Sequence, residues 1–498
     1  MEETTKKIIN GYKHIPKDQR KKILLISDDI RSVSGVGCVS KQIIIGTAHY
    51  LRWTQISGAQ IHNEKGKVIN MDKAINEAAG IDDASCTLYP TDGYGNPDML
   101  RQIIQIEKPD AIMLFTDPRF FVWVFQMSHE LQQNGLPIIY YNIWDDLGGF
   151  CQYNRAFYRS CSMLLGISKQ TVNINKTILK NDNYEDWQIK YVPHGINENY
   201  YFPISEETNT NAYNELLKKK QQLFKGVEPK FVAMFNSRNI RRKMIPDIIV
   251  AFQMFISTLP KEDADKCFLV LHTNPIEEAG TNLYEVIKNL APDSNVVLHT
   301  SKVPEQELNL MYNIADVTVN ASSAEGWGLG NTESLMAGTM TITNTIGGLQ
   351  DQSRFVDDDG KWIDFSEYFP TNSCGRYKTC GEWTLPLFPQ LNIVGSVPTP
   401  YIYDSRADIK DITQALIDCY NMGREERKRR GMKGREWVMS DESMMSSKWM
   451  CKNMITYIDG MFANWKPRKR FEMIDTKIDG KKEKVASGVW NGLKKEWY

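Results

Sequence analysis

Between Ser323 and Thr339 the chain reads SAEGWGLGNTESLMAGT, which sets two carboxylates, Glu325 and Glu333, eight residues apart across a glycine-rich turn. The preceding run ADVTVN (315–320) has the apolar character of a short buried strand, and SLMA (334–337) has helical character. The glycines therefore fall where a strand hands over to a helix. Glycine lets backbone approach a ligand closely, and the N–H groups of a first helical turn near Gly328, Leu329 and Gly330 favour a bound phosphate. Glu333 falls in that turn. A carboxylate does not bind phosphate, but its two acceptor oxygens suit the vicinal diol of a ribose, while Glu325 on the loop can accept from sugar hydroxyls. The pattern reads as a grip for a sugar nucleotide. Taken singly, Glu333 can equally complement a helix dipole and Glu325 can simply be solvated.

A second constellation lies upstream. The run KFVAMF (230–235) reads as a strand that ends at Asn236-Ser237-Arg238, followed by Arg241, Arg242 and Lys243 and then a helix over 245–256. Arg238 offers a planar fork and Lys243 a point charge, a combination suited to a diphosphate whose developing negative charge must be neutralised. Alone, such a cluster is ordinary surface.

Four features occur in order: Ser34-Gly35-Val36-Gly37 after a first strand, YVPHGIN (191–197), Arg238 with Lys243, and the paired glutamates followed by Gly347-Gly348. Together they resemble the large family of retaining glycosyltransferases that includes bacterial mannosyl- and glucosyltransferases and the sucrose synthases. The resemblance spans roughly residues 21–434 and is most specific in the second half. It implies an α/β fold of GT-B architecture, two Rossmann-like doubly wound domains facing a cleft. It also implies that Arg238 and Lys243 contact the diphosphate, helped by backbone N–H groups after Gly328 and at Gly35. Glu333 would hold the ribose and Glu325 would orient the transferred sugar.

The resemblance further implies transfer with retention to a hydroxyl acceptor. The leaving phosphate takes the acceptor proton, no cofactor takes part, and cationic side chains serve in place of a metal. A UDP-sugar is the first expectation for the donor. The triple Asp357-Asp358-Asp359 has the spacing of a metal-binding acid motif, but it precedes Gly360 in a polar loop and reads as a solvated turn. One departure stands out. Many relatives carry a His after a first-domain strand, whereas residues 140–147 read YYNIWDDL. Asp145 or Asp146 is the candidate substitute, as a sugar ligand or acceptor base, and paired aspartates there can equally act as caps. His194 reads as structural. His272 and His299 end expected strands, where they either touch the nucleotide or sit in the core.

The elements that must position these residues alternate strand and helix. Apolar runs at 23–26, 111–115, 137–141 and 163–166 suggest a first parallel sheet, and those at 231–235, 268–272, 295–299, 317–320 and 340–344 a second. The expected domains are 1–199 on the acceptor side and 200–440 on the nucleotide-sugar side, with an insertion near 353–400. A helical stretch over 411–461 follows, of which 441–465 crosses back toward the first domain, and then a basic tail over 466–498.

With 498 residues the chain exceeds what one core serves, and 42% hydrophobic against 24% charged residues is ordinary for a globular protein. With a formal net charge of −1 the whole molecule is not an obvious polyanion binder, although its charge is unevenly placed. No apolar run approaches a membrane span, and the polar N-terminal residues suggest a cytoplasmic protein. Nine cysteines without a CxxC pair suggest reduced thiols. The tail carries ten Lys and Arg against five Asp and Glu, with Trp490 and Trp497. It reads first as a solvated helix. Its basic and aromatic residues also raise a DNA acceptor, a hydroxymethylated base, as the alternative partner. A third reading is a sugar-nucleotide-binding protein that has kept the fold and lost the chemistry.

Overall fold

The structure is a computed structural model that describes residues 8–59, 62–144, 146–147, 151–395 and 399–468, and beyond these the backbone of four strands at 471–478, 481–488, 490–491 and 496–497. Asp145 lies outside the described residues.

The run KKILLISD opens the first sheet as the strand Lys21–Asp28. Ile23, Leu24, Leu25 and Ile26 are all buried, because a parallel strand covered by helices on both faces has no polar face to alternate with. The sheet has eight strands in the order 189–191, 163–166, 138–142, 111–115, 21–28, 51–58, 86–90 and 69–70. All neighbours are parallel except the edge pair of Ile69–Asn70 with Cys86–Pro90. The second sheet is parallel throughout, in the order 295–299, 267–272, 231–236, 317–320, 340–344 and 384–387. In each sheet the order reverses beside the first strand of its unit, where such folds open a crevice at the strands' carboxyl ends.

Helix Ile245–Ile256 shows how the local sequence builds these layers. Pro246 occupies its first turn, and Ile245, Ile248, Ile249, Phe252 and Phe255 line one buried stripe against the second sheet.

The junction at 191–197 carries the chain between the sheets. Gly195 is required there, since a Cβ would lie 2.5 Å from the Ser446 carbonyl. Ile196 bonds Met445 and Ser447 through its backbone, at 3.1 and 2.9 Å.

Three expectations need correction. The helical stretch after 411 is three helices, Ile409–Asn421, Arg424–Val438 and Ser447–Asn464, broken at Gly423 with φ 76° and again before the Ser446 cap. The last helix packs on Gly35–Thr47, where a Cβ on Gly46 would meet Cys451 Sγ at 2.3 Å. The region 353–400 is more than an insertion, because Thr384–Leu387 forms the edge strand of the second sheet. The tail backbone is a hairpin, Phe471–Ile478 antiparallel to Lys481–Gly488, rather than a helix. The nine cysteines are all free thiols. Among the described residues no helix is long and apolar enough to cross a membrane.

Candidate active site

The glycine loops of the two sheets meet. Ser34 caps helix Gly35–Thr47 by accepting from the Gly37 N–H at 3.0 Å. A Cβ added to Gly35 would lie 3.1 Å from Leu329 Cδ1, at the start of helix Leu329–Met336. Two helix N-termini thus converge on one gap, and both favour an anion there. Gly328 enters its helix with φ 85°, and a side chain at that position would strike Leu349 at 2.5 Å. Gly330 lies close over Tyr312, whose hydroxyl would be 3.1 Å from a Cβ.

Behind the second-domain loop lies a buried charge cluster. Lys243 Nζ pairs with Glu325 Oε2, and both side chains are largely out of solvent. Arg242 approaches the other carboxylate oxygen at 3.7 Å and donates to the Ala324 carbonyl. Burial alone would raise the Glu325 carboxyl, but the Lys243 ammonium and Arg242 guanidinium outweigh it and hold the group below its ordinary value. Gly347, with φ 43°, packs on this loop so tightly that a Cβ would lie 1.8 Å from the Glu325 carbonyl oxygen. A Cβ on Gly326 would meet the Ile143 carbonyl of the first domain at 2.9 Å. Glu325 therefore sits on a loop seated at the interdomain cleft.

Glu333, one turn into the helix, accepts from the Tyr312 hydroxyl at 2.7 Å, and Asn236 Nδ2 donates to that same hydroxyl at 2.7 Å. Burial pushes the Glu333 carboxyl up to about 7, opposed by the Tyr312 hydrogen bond and reinforced by Glu305.

Arg238 stands apart from this cluster. Its side chain is 70% exposed and pairs with Glu277 at 2.6 Å, so Arg242 rather than Arg238 joins Lys243 beside Glu325. The chain turns at Asn239, which bonds Thr281, and this carries Arg238 outward.

Asp146 is held in a structural role. Its Oδ1 accepts from the Leu147 and Tyr403 N–H groups, each at 2.9 Å, and Oδ2 from the Tyr153 hydroxyl at 3.3 Å. It lines a small cavity with Gln170, Ser323, Ala324 and Tyr403, yet its oxygens fasten the hairpin of Gln390–Val394 and Ile402–Arg406 to the first domain. From the second domain, Asp247 grips the same hairpin through both nitrogens of the Arg406 fork, at 2.8 and 2.7 Å.

His194 is buried, bonds the Tyr141 hydroxyl at 2.8 Å and stacks edge-on with Phe115 and Trp327; burial lowers it to about 3. His272 and His299 face each other through Nδ1 at 2.9 Å, and Lys219 reaches His299 Nε2 at 3.1 Å. Asp357 closes its turn by accepting from Asp359 and Lys361, at 3.0 and 2.9 Å.

Sequence reasoning missed the residues that fix the two walls. Asp351 accepts from the Lys169 N–H at 2.9 Å and the Tyr191 hydroxyl at 3.0 Å. Gln170 accepts from the Gly347 N–H at 3.2 Å and from Gln350 at 2.7 Å. No motif marks these residues. Tyr312 is equally silent in sequence, being an aromatic near a helix end.

Two doubly wound parallel-sheet domains, with facing glycine loops and a buried acid–base cluster at the cleft, constitute a GT-B fold. Residues 217–363 match the family described as Glycosyl transferases group 1. It is 24% identical over 202 residues to mannosylfructose-phosphate synthase of Agrobacterium fabrum, covering 40% of this chain and 41% of that protein. It is 28% identical over 185 residues to alpha-monoglucosyldiacylglycerol synthase of Acholeplasma laidlawii, covering 37% and 42%. The chain thus spans about two fifths of the length of these curated relatives. In structure it is similar to HepE of Anabaena in complex with UDP and glucose, with TM-score 0.58 and 13% identity over 89% of this chain and 100% of that one. Sucrose-phosphate synthase of Thermosynechococcus elongatus gives TM-score 0.58 and 17% identity over 90% and 100%.

Proposed function

We propose that the protein is a retaining glycosyltransferase that moves a sugar from a nucleoside-diphosphate sugar, a UDP-sugar first, to a hydroxyl acceptor. The observation that carries this reading is the buried Lys243–Glu325 pair on a loop facing the convergent helix N-termini at Gly35 and Leu329. When the anomeric carbon–oxygen bond breaks, the carbon becomes cationic and the diphosphate gains negative charge. Lys243 and Arg242 supply positive charge at that point, and the two helix ends supply oriented N–H groups, so the reading assigns the leaving group to protein groups and no metal. Glu325 pairs with Lys243 and accepts from hydroxyls of the transferred sugar. Glu333 lies at the helix start, where a ribose diol would meet it. The UDP preference draws on HepE, whose structure holds UDP and glucose.

The test is incubation of the purified protein with UDP-glucose, GDP-mannose and ADP-glucose in EDTA without acceptor. Slow nucleotide release that disappears in Glu333→Ala is expected. Absence of release from every donor, with and without added hydroxyl acceptors, would refute the reading. NMR of a transferred product reports whether the anomeric configuration is kept.

A further inference from the structure

Two identical chelates stand side by side on the first-domain wall. In Asp29-Ile30-Arg31 the carboxylate Oδ1 accepts from the Arg31 N–H at 2.7 Å and its Nε at 3.0 Å, and Oδ2 accepts from Nη2 at 2.7 Å. In Asp117-Pro118-Arg119 the backbone N–H and Nε of Arg119 each reach Oδ1 at 2.9 Å, and Nη2 donates to Oδ2. Strands 21–28 and 111–115 are adjacent and pair Ser27 with Phe115, so Asp29 and Asp117, two residues further on, hold equivalent positions at the carboxyl ends. Substrates bind at those ends in doubly wound sheets.

Between the chelates lies an aromatic floor. Tyr94 packs on Phe120 with ring centroids 4.9 Å apart, Phe120 is 53% exposed, and the Tyr94 hydroxyl donates to Asp28 at 2.8 Å. The Arg119 guanidinium lies 5.7 Å from the Trp144 ring, and Trp144 follows Ile143, whose carbonyl abuts Gly326 beside Glu325. The wall therefore runs from Arg31 to the reacting end of the cleft.

Its charge is already balanced toward the acidic side. Arg31 is shared between Asp29 and Glu64, the latter at 2.7 Å, and Lys65 pairs with Asp92. Asp28 has hydroxyl partners from Ser34 and Tyr94. Among the described residues of this wall, Asp28, Asp29, Glu64, Asp92 and Asp117 stand against Arg31, Lys65 and Arg119, with His62 at 3.6 Å from Asp29, so a dianionic phosphate meets net negative charge there. Fixed donors and acceptors beside the exposed Phe120 ring suit hydroxyl groups and the apolar face of a sugar ring.

We infer that the acceptor is an uncharged polyhydroxyl compound, a free sugar or glycoside, and that the paired Asp-x-Arg chelates at Asp29–Arg31 and Asp117–Arg119 select it against sugar phosphates. The inference rests on the proposed transferase reading. In the transfer, the donor C1–O bond to diphosphate breaks, a C1–O bond to the acceptor forms, and the acceptor proton leaves with the diphosphate.

The experiment measures UDP release from UDP-glucose, or from whichever donor the protein hydrolyses, with methyl glucoside, maltose, glucose 6-phosphate and fructose 6-phosphate as acceptors. Stimulation of at least tenfold by an uncharged acceptor, with little by either phosphate, is expected. Asp117→Asn removes the carboxylate charge of this chelate, and the ratio of kcat/KM for glucose 6-phosphate over methyl glucoside should rise at least tenfold. If that variant does not fold, Asp29→Asn carries the same test. Preference of the parent protein for the phosphorylated sugar, or stimulation by none of the four, overturns the inference. Donor hydrolysis without acceptor separates that outcome from failure of the transferase reading itself.

Discussion

Lys243 and Glu325 form a buried ion pair between the loop after strand Phe231–Asn236 and the loop before helix Leu329–Met336. The pair links the two second-domain segments that must act on one donor. It also sets two opposite charges together out of water where an anion is to be met, each compensating the burial of the other. Arg242 reinforces it from the rim, 3.7 Å away.

Removing one partner should therefore be costly in two separable ways. Lys243→Met leaves Glu325 buried without its main counter-charge and is expected to destabilise the protein by about 3–5 kcal/mol. Adding Glu325→Gln should restore much of that stability, read from urea unfolding, while nucleotide release stays on the order of 10²–10³-fold below the parent. Recovery of activity together with stability would show that the pair is structural alone. Glu325 also sets an acid limit: its folded value lies below the unfolded one, so its contribution is present above the ordinary carboxylate range and is lost as pH falls through the depressed value.

Gly347 offers a steric test of the same loop. Its φ of 43° and the 1.8 Å approach of a built Cβ to the Glu325 carbonyl leave no room for alanine without moving the acidic loop. Gly347→Ala is expected to cost about 1–3 kcal/mol and to lower donor turnover more than it lowers stability. Gly360→Ala serves as the control, because its φ of 76° is strained in the same way while nothing lies within 4 Å of its Cβ. Equal effects of the two substitutions on turnover would place the defect in backbone strain and not in Glu325.

Most of the second sheet is readable in the sequence because its central strands are continuous apolar runs: VAMF at 232–235 and FLVL at 268–271 are buried on both faces. Strand Leu51–Gly58 hides because its interior holds Thr54, Gln55 and Ser57, made tolerable by specific bonds such as Gln55 Nε2 to Ser27 Oγ at 2.8 Å. Strand Thr384–Leu387 hides behind Pro386, which an edge position accommodates. The site shows the same division. Glu325, Glu333, Lys243 and the glycines announce themselves by spacing, whereas Arg242, Tyr312 and Asp351 acquire roles only through partners brought together by the fold. Arg238 illustrates the limit from the other side: charge and position in sequence suggest the site, and the turn at Asn239 directs the side chain to Glu277.

Glu333 should make both stability and nucleotide affinity depend on pH. Burial raises its carboxyl from 4.5 to about 7, so between those values the folded protein holds a proton that the unfolded chain has released. Stability contributed by this group is therefore full below the unfolded value and falls as pH rises through that window, the reverse of the Glu325 case. Glu333→Gln removes the contribution, and the difference in unfolding free energy between parent and variant should shift toward the variant from pH 5 to pH 8. A ribose diol, however, needs the ionised carboxylate as acceptor. At one unit below the folded value about a tenth of the protein carries that form, so UDP should bind roughly tenfold more weakly at pH 6 than at pH 8. Calorimetric titration at pH 6 in two buffers of different ionisation enthalpy would register the proton released on binding. UDP affinity that is flat with pH in the parent, or equally steep in Glu333→Gln, would remove Glu333 from the ribose site and leave its hydrogen bond from Tyr312 as a packing contact.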